Sequence, residues 1–294
     1  MKISVILGCL VTLFLCCKES NTKSIKDSTY VEALNKNREN RSENRIKYLE
    51  LSGLFKLDST TNTFGSADSN TFVLAVETIA QTIGRFELSK ERLQFYADKD
   101  IEVTNGQGEE IDFLTLAIDA NGNSIKLYHE QIKWQIITRS GALYLRVWDS
   151  KNPAIKAFKG FDSYEINTDF ILEAAFSYYE RSRVESVASK LGVNDVMVFI
   201  GQLQFSFKGV PYSLEIGQDG FVMVGDLSSG ETTYGGGRYM YLELPEADGT
   251  ITLDFNYLYN PPCAYSEYTT CLFPPRQNQL GFKILAGELL KKGV

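Results

Sequence analysis

The chain has 294 residues, of which 44% are hydrophobic and 12% are aromatic, and its formal net charge is -7. This length and composition predict a globular body of one large or two small domains with a sizeable core. The acidic balance and the lack of a dense basic cluster argue against nucleic acid as a partner.

The first seventeen residues have the pattern of a secretion signal. Lys2 precedes an apolar stretch at residues 3–15 that is too short to span a membrane as a stable helix. A cysteine directly after such a stretch resembles the lipid attachment site of bacterial lipoproteins. We favour Cys17 over Cys16 because a small residue then precedes the acylated cysteine. The pattern predicts a lipoprotein anchored in a membrane of the bacterial cell envelope; an ordinary cleaved signal is the alternative.

Two cysteines remain outside the predicted signal, Cys263 and Cys271. In an oxidising compartment such a pair predicts a disulfide, which would add roughly 2–3 kcal/mol of stability in the chain-entropy model. A zinc site would need two further nitrogen or sulfur ligands, and His129 lies far away along the chain. We favour the disulfide over zinc and over free thiols, and we predict no metal and no cofactor.

The segments that follow the signal differ in composition. Residues 18–28 are rich in Ser, Asn, Thr and Lys and predict a flexible tether. Residues 29–52 predict a helix that Gly53 can end. Because its apolar positions are sparse, we expect this helix on a surface.

From Leu54 onward the dominant hydrophobic period is two, which is typical of strands. A weak boundary near residue 150 separates a first β-rich half, 54–150, from a second, 151–294. Residues 169–190 fit either a helix or a strand, and we favour a strand. The short strands and turns predict a mainly β fold, with an antiparallel sandwich or barrel-like body and one N-terminal surface helix.

The last predicted hairpin turns at residues 245–250. The predicted pairs share one apolar face: Leu244 with Ile251, Leu242 with Leu253, and Met240 with Phe255. Arg238 falls at the end of this face, where a buried guanidinium needs a partner. Glu288 or a bound anion would serve.

Common catalytic signatures are absent from the sequence: it has no nucleophile elbow, no zinc-protease motif and no Gly-rich nucleotide loop. Asp254 and Asn256 share a face of the predicted strand, with Glu243 near them. Two carboxylates could therefore meet there, as glycoside hydrolysis requires, with Glu288 as the other candidate partner of Asp254. We favour the interpretation that these residues lie on a solvated face of the sheet, and we favour a non-enzymatic protein over an enzyme.

The glycine run at residues 235–237 and the adjacent Arg238 could hold an anion through backbone N–H groups and a guanidinium fork. A glycine bulge at a barrel corner would need the same residues. Tyr259 and Tyr265 could wall a pocket beside them. The residues predicted to contact a ligand are Arg238, Tyr234, Gly236, Asn256, Asn260 and Asn278.

The last sixty residues carry a series of short motifs. They are Thr233 to Tyr239, Asp254 to Asn256, Asn260 to Ala264, Thr270-Cys271, Pro274-Pro275, Asn278 and Ala286 to Glu288. Together they resemble the family catalogued as domain of unknown function 1684. Weaker matches reach upstream, at Arg38, Arg41, Arg139 and Arg146 among others, whereas Leu272-Phe273 and Arg276 to Gln279 depart from the family pattern. The resemblance implies no established activity.

The sequence therefore predicts a lipid-anchored β-protein of the cell envelope that binds a small ligand, such as an anion, near Arg238. One alternative is an envelope hydrolase that uses Asp254 with Glu243 or Glu288. The other is a purely structural envelope protein, in which the C-terminal motifs plug the fold.

Overall fold

A computed structural model gives the structure of residues 28–76, 78–90, 92–192 and 194–290. The predicted signal, the lipid attachment at Cys17 and the predicted tether before residue 28 lie outside these ranges. None of the helices in the described ranges is both long enough and apolar enough to cross a membrane.

A long helix, α1 (Ser28–Leu49), precedes the β-rich body. It ends three residues before the predicted end, because strand β1 (Leu51–Lys56) begins at once and Gly53 lies inside that strand. Only Leu34, Arg45 and Leu49 of the helix are buried, which confirms the predicted surface helix.

Residues 51–149 form a β-sandwich. Its further strands are β2 (Thr61–Gly65), β3 (Phe72–Val73), β4 (Gly84–Leu88), β5 (Leu93–Ala97), β6 (Thr104–Asn105), β7 (Phe113–Thr115), β8 (Leu127–His129), β9 (Ile132–Arg139) and β10 (Ala142–Asp149). One sheet has the order β1-β10-β9-β8-β6 and the other β3-β2-β4-β5-β7. Both sheets contribute to one core, in which the rings of Phe64 and Trp134 lie 5.1 Å apart. The outer face of the β9–β10 sheet is left free to meet the rest of the chain.

The second half has its own sheet and core. Its elements are α2 (Pro153–Ala157), β11 (Ile171–Ala188), β12 (Asn194–Phe207), β13 (Val210–Gly217), β14 (Phe221–Val224), β15 (Arg238–Tyr241) and β16 (Gly249–Asp254), and short 3-10 helices at Thr168–Phe170, Gln218–Gly220, Phe255–Tyr257, Pro262–Ala264 and Arg276–Asn278. One sheet has the order β13-β12-β11-β16, and β14 pairs with β15. The strand favoured at residues 169–190 is confirmed as β11. The structure thus confirms a mainly β, antiparallel fold with an N-terminal helix, and no sheet of the described ranges closes into a barrel.

The predicted final hairpin is wrong. β16 pairs with β11, so that Leu253 lies opposite Leu172, whereas β15 pairs with β14 and Met240 lies opposite Val222. Alternation correctly marks Leu253 and Met240 as core residues. It does not say which strand lies beside them, because several apolar faces are available in one sheet.

The C-terminal segment, residues 255–290, packs across the second half and reaches α1. A disulfide joins Cys263 and Cys271, with a Cα–Cα distance of 6.1 Å, and confirms the predicted pairing. The guanidinium of Arg45 in α1 donates to both carboxylate oxygens of Glu288, at 2.6 and 2.7 Å. Both side chains are buried, and this ion pair therefore fastens the helix to the C-terminal segment.

Replacing Arg45 with Met should lower the free energy of unfolding by about 3–5 kcal/mol, because Glu288 would remain buried without its cation. Arg85→Met is the matched control, since it removes an exposed ion pair with Glu87 and should change stability by less than about 0.5 kcal/mol. Urea unfolding of both variants measures the difference. Equal, small effects in the two variants would contradict an anchoring role for the pair.

Candidate functional site

A pocket of about 630 Å³ lies where α1, the β9–β10 sheet, β14–β15 and the C-terminal segment meet. This volume is in the usual range of small-molecule sites. The helix contributes Arg41, Asn44, Arg45, Lys47 and Tyr48, and the sheet contributes Leu51, Arg139 and Arg146. The second half contributes Phe221, Tyr239, Tyr241, Tyr259, Asn260, Pro262, Tyr265 and Thr269 to Leu272.

The helix presents a polar face to the pocket. Arg41, Asn44, Arg45 and Tyr48 follow the i, i+3, i+4, i+7 spacing that places side chains on one side of a helix. An ordinary surface helix has apolar residues at this spacing on its packed side. The guanidinium of Arg41 lies 3.7 Å from the centre of the Tyr259 ring, and the packed side of α1 is thus built from cations and aromatic contacts.

The sheet presents two arginines to the pocket. In β10, Leu145 and Val147 point into the sandwich core and are fully buried. Arg146 lies between them and therefore points to the opposite face of the sheet. Arg139, at the end of β9, also lines the pocket. The first half of the chain thus supplies two cations to a site that the second half closes.

The charges on the pocket wall are unbalanced. The described lining residues include five Lys or Arg side chains and no Asp or Glu. Within the described part of the chain, Arg45 has an ion pair with Glu288, whereas Arg41, Lys47, Arg139 and Arg146 have none. Four positive charges therefore lack a carboxylate partner.

Arg146 is the most constrained of these cations. Its Nε is buried and has no hydrogen-bond partner among the described residues. Burial, together with the neighbouring charge of Arg139, lowers the pKa of Arg146 to about 10. The guanidinium still carries its charge at neutral pH, and it does so at a cost, because a desolvated charge without a partner is unfavourable.

Four tyrosines of the pocket, Tyr239, Tyr241, Tyr259 and Tyr265, remain protonated hydroxyl groups. Burial raises the pKa of Tyr259 to about 12, and burial also raises the pKa values of Tyr239, Tyr241 and Tyr265. A phenol that stays neutral can donate a hydrogen bond to an anion. The hydroxyl of Tyr239 already donates to the backbone oxygen of Leu272, which leaves the other three as potential donors.

Arg238 does not line this pocket. Its side chain is fully buried, and its two terminal nitrogens donate to the Asp226 carboxylate at 3.0 Å and to the backbone oxygens of Ile284, Ala286 and Glu288. Burial lowers the pKa of Arg238, while Asp226 opposes that shift. The predicted need for a partner is met by Asp226 and by backbone carbonyls, and the geometry gives a structural role in place of the predicted ligand contact.

The glycine run beside Arg238 serves close packing. Gly237 has a φ of 82°, and a Cβ on it would lie 2.4 Å from Cγ of Pro274. A Cβ on Gly236 would lie 2.5 Å from the ring of Tyr234. Glycine is therefore required here by backbone geometry and by crowding, and neither Gly236 nor Tyr234 lines the pocket.

The three predicted asparagines have different surroundings. Asn278 is fully buried and bonds the backbone of Glu215 and Met223. Asn256 bonds Asn167 and Asp254. Asn260 lines the pocket, and its Oδ1 is buried without a partner among the described residues. Of the six residues predicted to contact a ligand, only Asn260 lies at the site.

The predicted carboxylates Asp254 and Glu288 are each engaged by other groups of the protein. Asp254 accepts hydrogen bonds from Tyr30 and Asn256, and Glu288 is held by Arg45 and by the backbone N–H of Asn260. Glu243 is exposed and lies outside both β15 and β16. This arrangement does not favour the hydrolase hypothesis. In the described ranges, no group of three or more His, Cys, Asp or Glu residues could hold a metal ion.

Sequence reasoning about the chemistry misses the cations that define the pocket: Arg41, Lys47, Arg139 and Arg146. Two signals could have found them. The first is a polar stripe on a helix without an apolar stripe, formed by Arg41, Asn44, Arg45 and Tyr48. The second is a charged residue, Arg146, between the two core residues Leu145 and Val147 of one strand.

Replacing Arg238 with Met should lower the free energy of unfolding by about 3–5 kcal/mol, because Asp226 would be left as a buried, unpaired charge. The exposed pair of Lys283 with Glu231 supplies the control, Lys283→Met, which should be almost neutral. Chemical denaturation measures both. If the Arg238→Met variant kept its stability and lost anion binding, the ligand contact predicted from sequence would be supported instead.

Replacing Arg146 with Met should have the opposite effect on stability. It should raise the free energy of unfolding by about 0.5–2 kcal/mol, because a partly desolvated and unpaired charge is removed. Arg181→Met, at an exposed position of β11, controls for the general effect of losing an arginine. Denaturation in a buffer of chloride salts, without polyvalent anions, is the measurement. A loss of stability would mean that Arg146 has a partner within the protein.

Comparison with known proteins finds a family model that matches part of the chain. Residues 156–289 match the family model described as "Protein of unknown function (DUF1684)", which confirms the resemblance over the C-terminal motifs. An uncharacterized protein of Haloarcula marismortui, whose structure was determined by NMR in solution, is 28% identical over 47% of this chain and 80% of its own, with a TM-score of 0.40. No curated protein matches the chain.

Proposed function

We propose that this protein is a binding module that takes a small anionic molecule into the pocket between α1 and the two β-rich halves. The observation that carries the proposal is the excess of unpaired cations on a wall without carboxylates. Arg146 is the clearest case, since its Nε is buried without a partner.

The energetics favour an anion over a neutral ligand. A half-buried cation whose Nε lacks a partner costs free energy in the empty protein, and a bound anion would remove that cost through charge-assisted hydrogen bonds. Arginine suits this role because its planar fork matches carboxylate and phosphate geometry. The protonated hydroxyls of Tyr259 and Tyr265 add neutral donors elsewhere on the pocket wall.

We place this module on the bacterial cell envelope, held to a membrane by a lipid on Cys17. The support comes from the apolar stretch before Cys17 and from the disulfide between Cys263 and Cys271, which is typical of compartments outside the cytoplasm. The disulfide also closes the loop that supplies Tyr265, Thr269 and Thr270 to the pocket wall, and an oxidising environment would keep that wall rigid.

Thermal unfolding with inorganic phosphate tests the binding function. Phosphate at about a hundredfold excess over its Kd would stabilise the folded state by about 2.7 kcal/mol. This corresponds to an increase of about 5 °C in the Tm of a chain of this size. The double variant Arg139→Met/Arg146→Met should lose this increase, because it lacks both arginines that the sheet presents to the pocket.

The double variant also separates specific binding from the general stabilisation that phosphate gives to folded proteins. That general effect acts on wild type and variant alike, so only the difference between their Tm increases counts. Sodium chloride at matched ionic strength is the reference salt. Equal increases in both proteins would contradict the proposed function.

A further inference from the structure

We infer that the ligand is a phosphate monoester of an aromatic compound, with its phosphate at the arginines of the β9–β10 sheet and its ring on the tyrosines of the second half that line the same pocket. This inference rests on the proposed binding function and goes further, because it names both ends of the ligand.

The size of the pocket argues against a free ion as the whole ligand. A cavity of about 630 Å³ suits a drug-sized molecule, and such sites combine a few polar groups with apolar and aromatic walls. Here the polar groups and the aromatic walls come from different parts of the chain. Arg139 and Arg146 come from the first half, and the aromatic cluster comes from the second.

The aromatic wall is a set of rings in mutual contact. Phe221 lies 4.9 Å from Tyr239 and 5.1 Å from Tyr241, and Tyr239 lies 6.1 Å from Tyr259. Backbone hydrogen bonds of 2.9 Å in both directions between Tyr239 and Tyr259 fix the C-terminal segment against β15. The cluster therefore forms a rigid wall for the pocket.

One ring of this cluster has an open surface. Tyr241 is 53% exposed although it lines the pocket and contacts Phe221. A planar ring of the ligand could stack on Tyr241, as aromatic ligands stack on exposed tyrosines. Arg41, whose guanidinium lies over Tyr259, offers a further flat cationic surface at the same wall.

The charge count favours a dianion. Four unpaired cations line the described wall of the pocket, and a single carboxylate or a sulfate ester brings only one negative charge. A phosphate monoester carries about -1.5 to -2 at pH 7, with a second pKa of about 6. It also presents three acceptor oxygens, which suits two arginines from neighbouring strands.

The described wall of the pocket has no histidine or carboxylate that would compete with the phosphate as the titrating group. The titratable lining groups are lysine, arginine and tyrosine side chains: Arg41, Arg45, Lys47, Arg139, Arg146, Tyr48, Tyr239, Tyr241, Tyr259 and Tyr265. None of them is a His, Asp or Glu, and the pKa of Arg146, at about 10, is far from 6. The Glu288 carboxylate behind Arg45 is buried and paired. A loss of affinity on going from about pH 7.5 to pH 5.5 would therefore report protonation of the bound phosphate.

Isothermal titration calorimetry with three probes tests the inference: 1-naphthyl phosphate, 1-naphthyl sulfate and inorganic phosphate. We expect 1-naphthyl phosphate to bind the wild-type protein at least about tenfold more tightly than either other probe at about pH 7.5. Its advantage over the sulfate ester should shrink at about pH 5.5, where the phosphate has gained a proton.

Two variants locate the ends of the ligand. Tyr241→Leu should lower the affinity for 1-naphthyl phosphate by about tenfold and leave the affinity for inorganic phosphate unchanged. Arg146→Met should lower the affinity for both phosphates. Tyr178→Leu, at a partly exposed tyrosine outside the pocket, is the matched control for Tyr241 and should change neither.

Each adverse outcome overturns a different statement. Equal affinities for inorganic phosphate and 1-naphthyl phosphate would overturn the aromatic end and leave the anion-binding function standing. Equal affinities for the naphthyl phosphate and the naphthyl sulfate at about pH 7.5 would overturn the dianion. No binding of inorganic phosphate or of either ester would overturn both the ligand class and the proposed function.

Discussion

The buried carboxylate of Glu288 holds together the parts of the chain that build the pocket. The carboxylate accepts two hydrogen bonds from Arg45 of α1 and one from the backbone N–H of Asn260. The backbone oxygen of Glu288 accepts a further hydrogen bond from Arg238. Arg238 in turn pairs with Asp226. A buried charge is tolerated only when such partners are in place. The helix, the strand β15 and the C-terminal segment therefore depend on one connected set of charged groups.

The same fold contains two kinds of buried or half-buried cation. Arg45 and Arg238 have carboxylate partners and hold the structure together. Arg139 and Arg146 have no carboxylate partner within the described residues, although the chain as a whole carries a net charge of -7. Sequences violate local rules of charge pairing mainly at functional sites. This contrast separates the structural arginines from those that we assign to ligand binding, and it does so without reference to any relative.

The sequence predicts those features in which neighbours along the chain are also neighbours in space. Alternation identifies β11 as a strand, and Cys263 and Cys271 are predicted to pair because they are the two cysteines outside the predicted signal. The last hairpin is wrong because alternation marks an apolar face without naming the strand beside it. The glycine run beside Arg238 leads to a predicted ligand contact at a residue that the fold buries. The pocket, in contrast, joins side chains from distant segments, and only the three-dimensional arrangement brings Arg146 and Tyr241 to one pocket.

A crystal structure grown from a solution that contains sulfate or phosphate would test the central claim most directly, because it shows where an anion is held. We predict an anion bound by the guanidinium groups of Arg139 and Arg146, with α1 packed on the C-terminal segment and the Arg45–Glu288 pair intact. An empty pocket in which carboxylate side chains of the protein have moved to pair with Arg139 and Arg146 would contradict it.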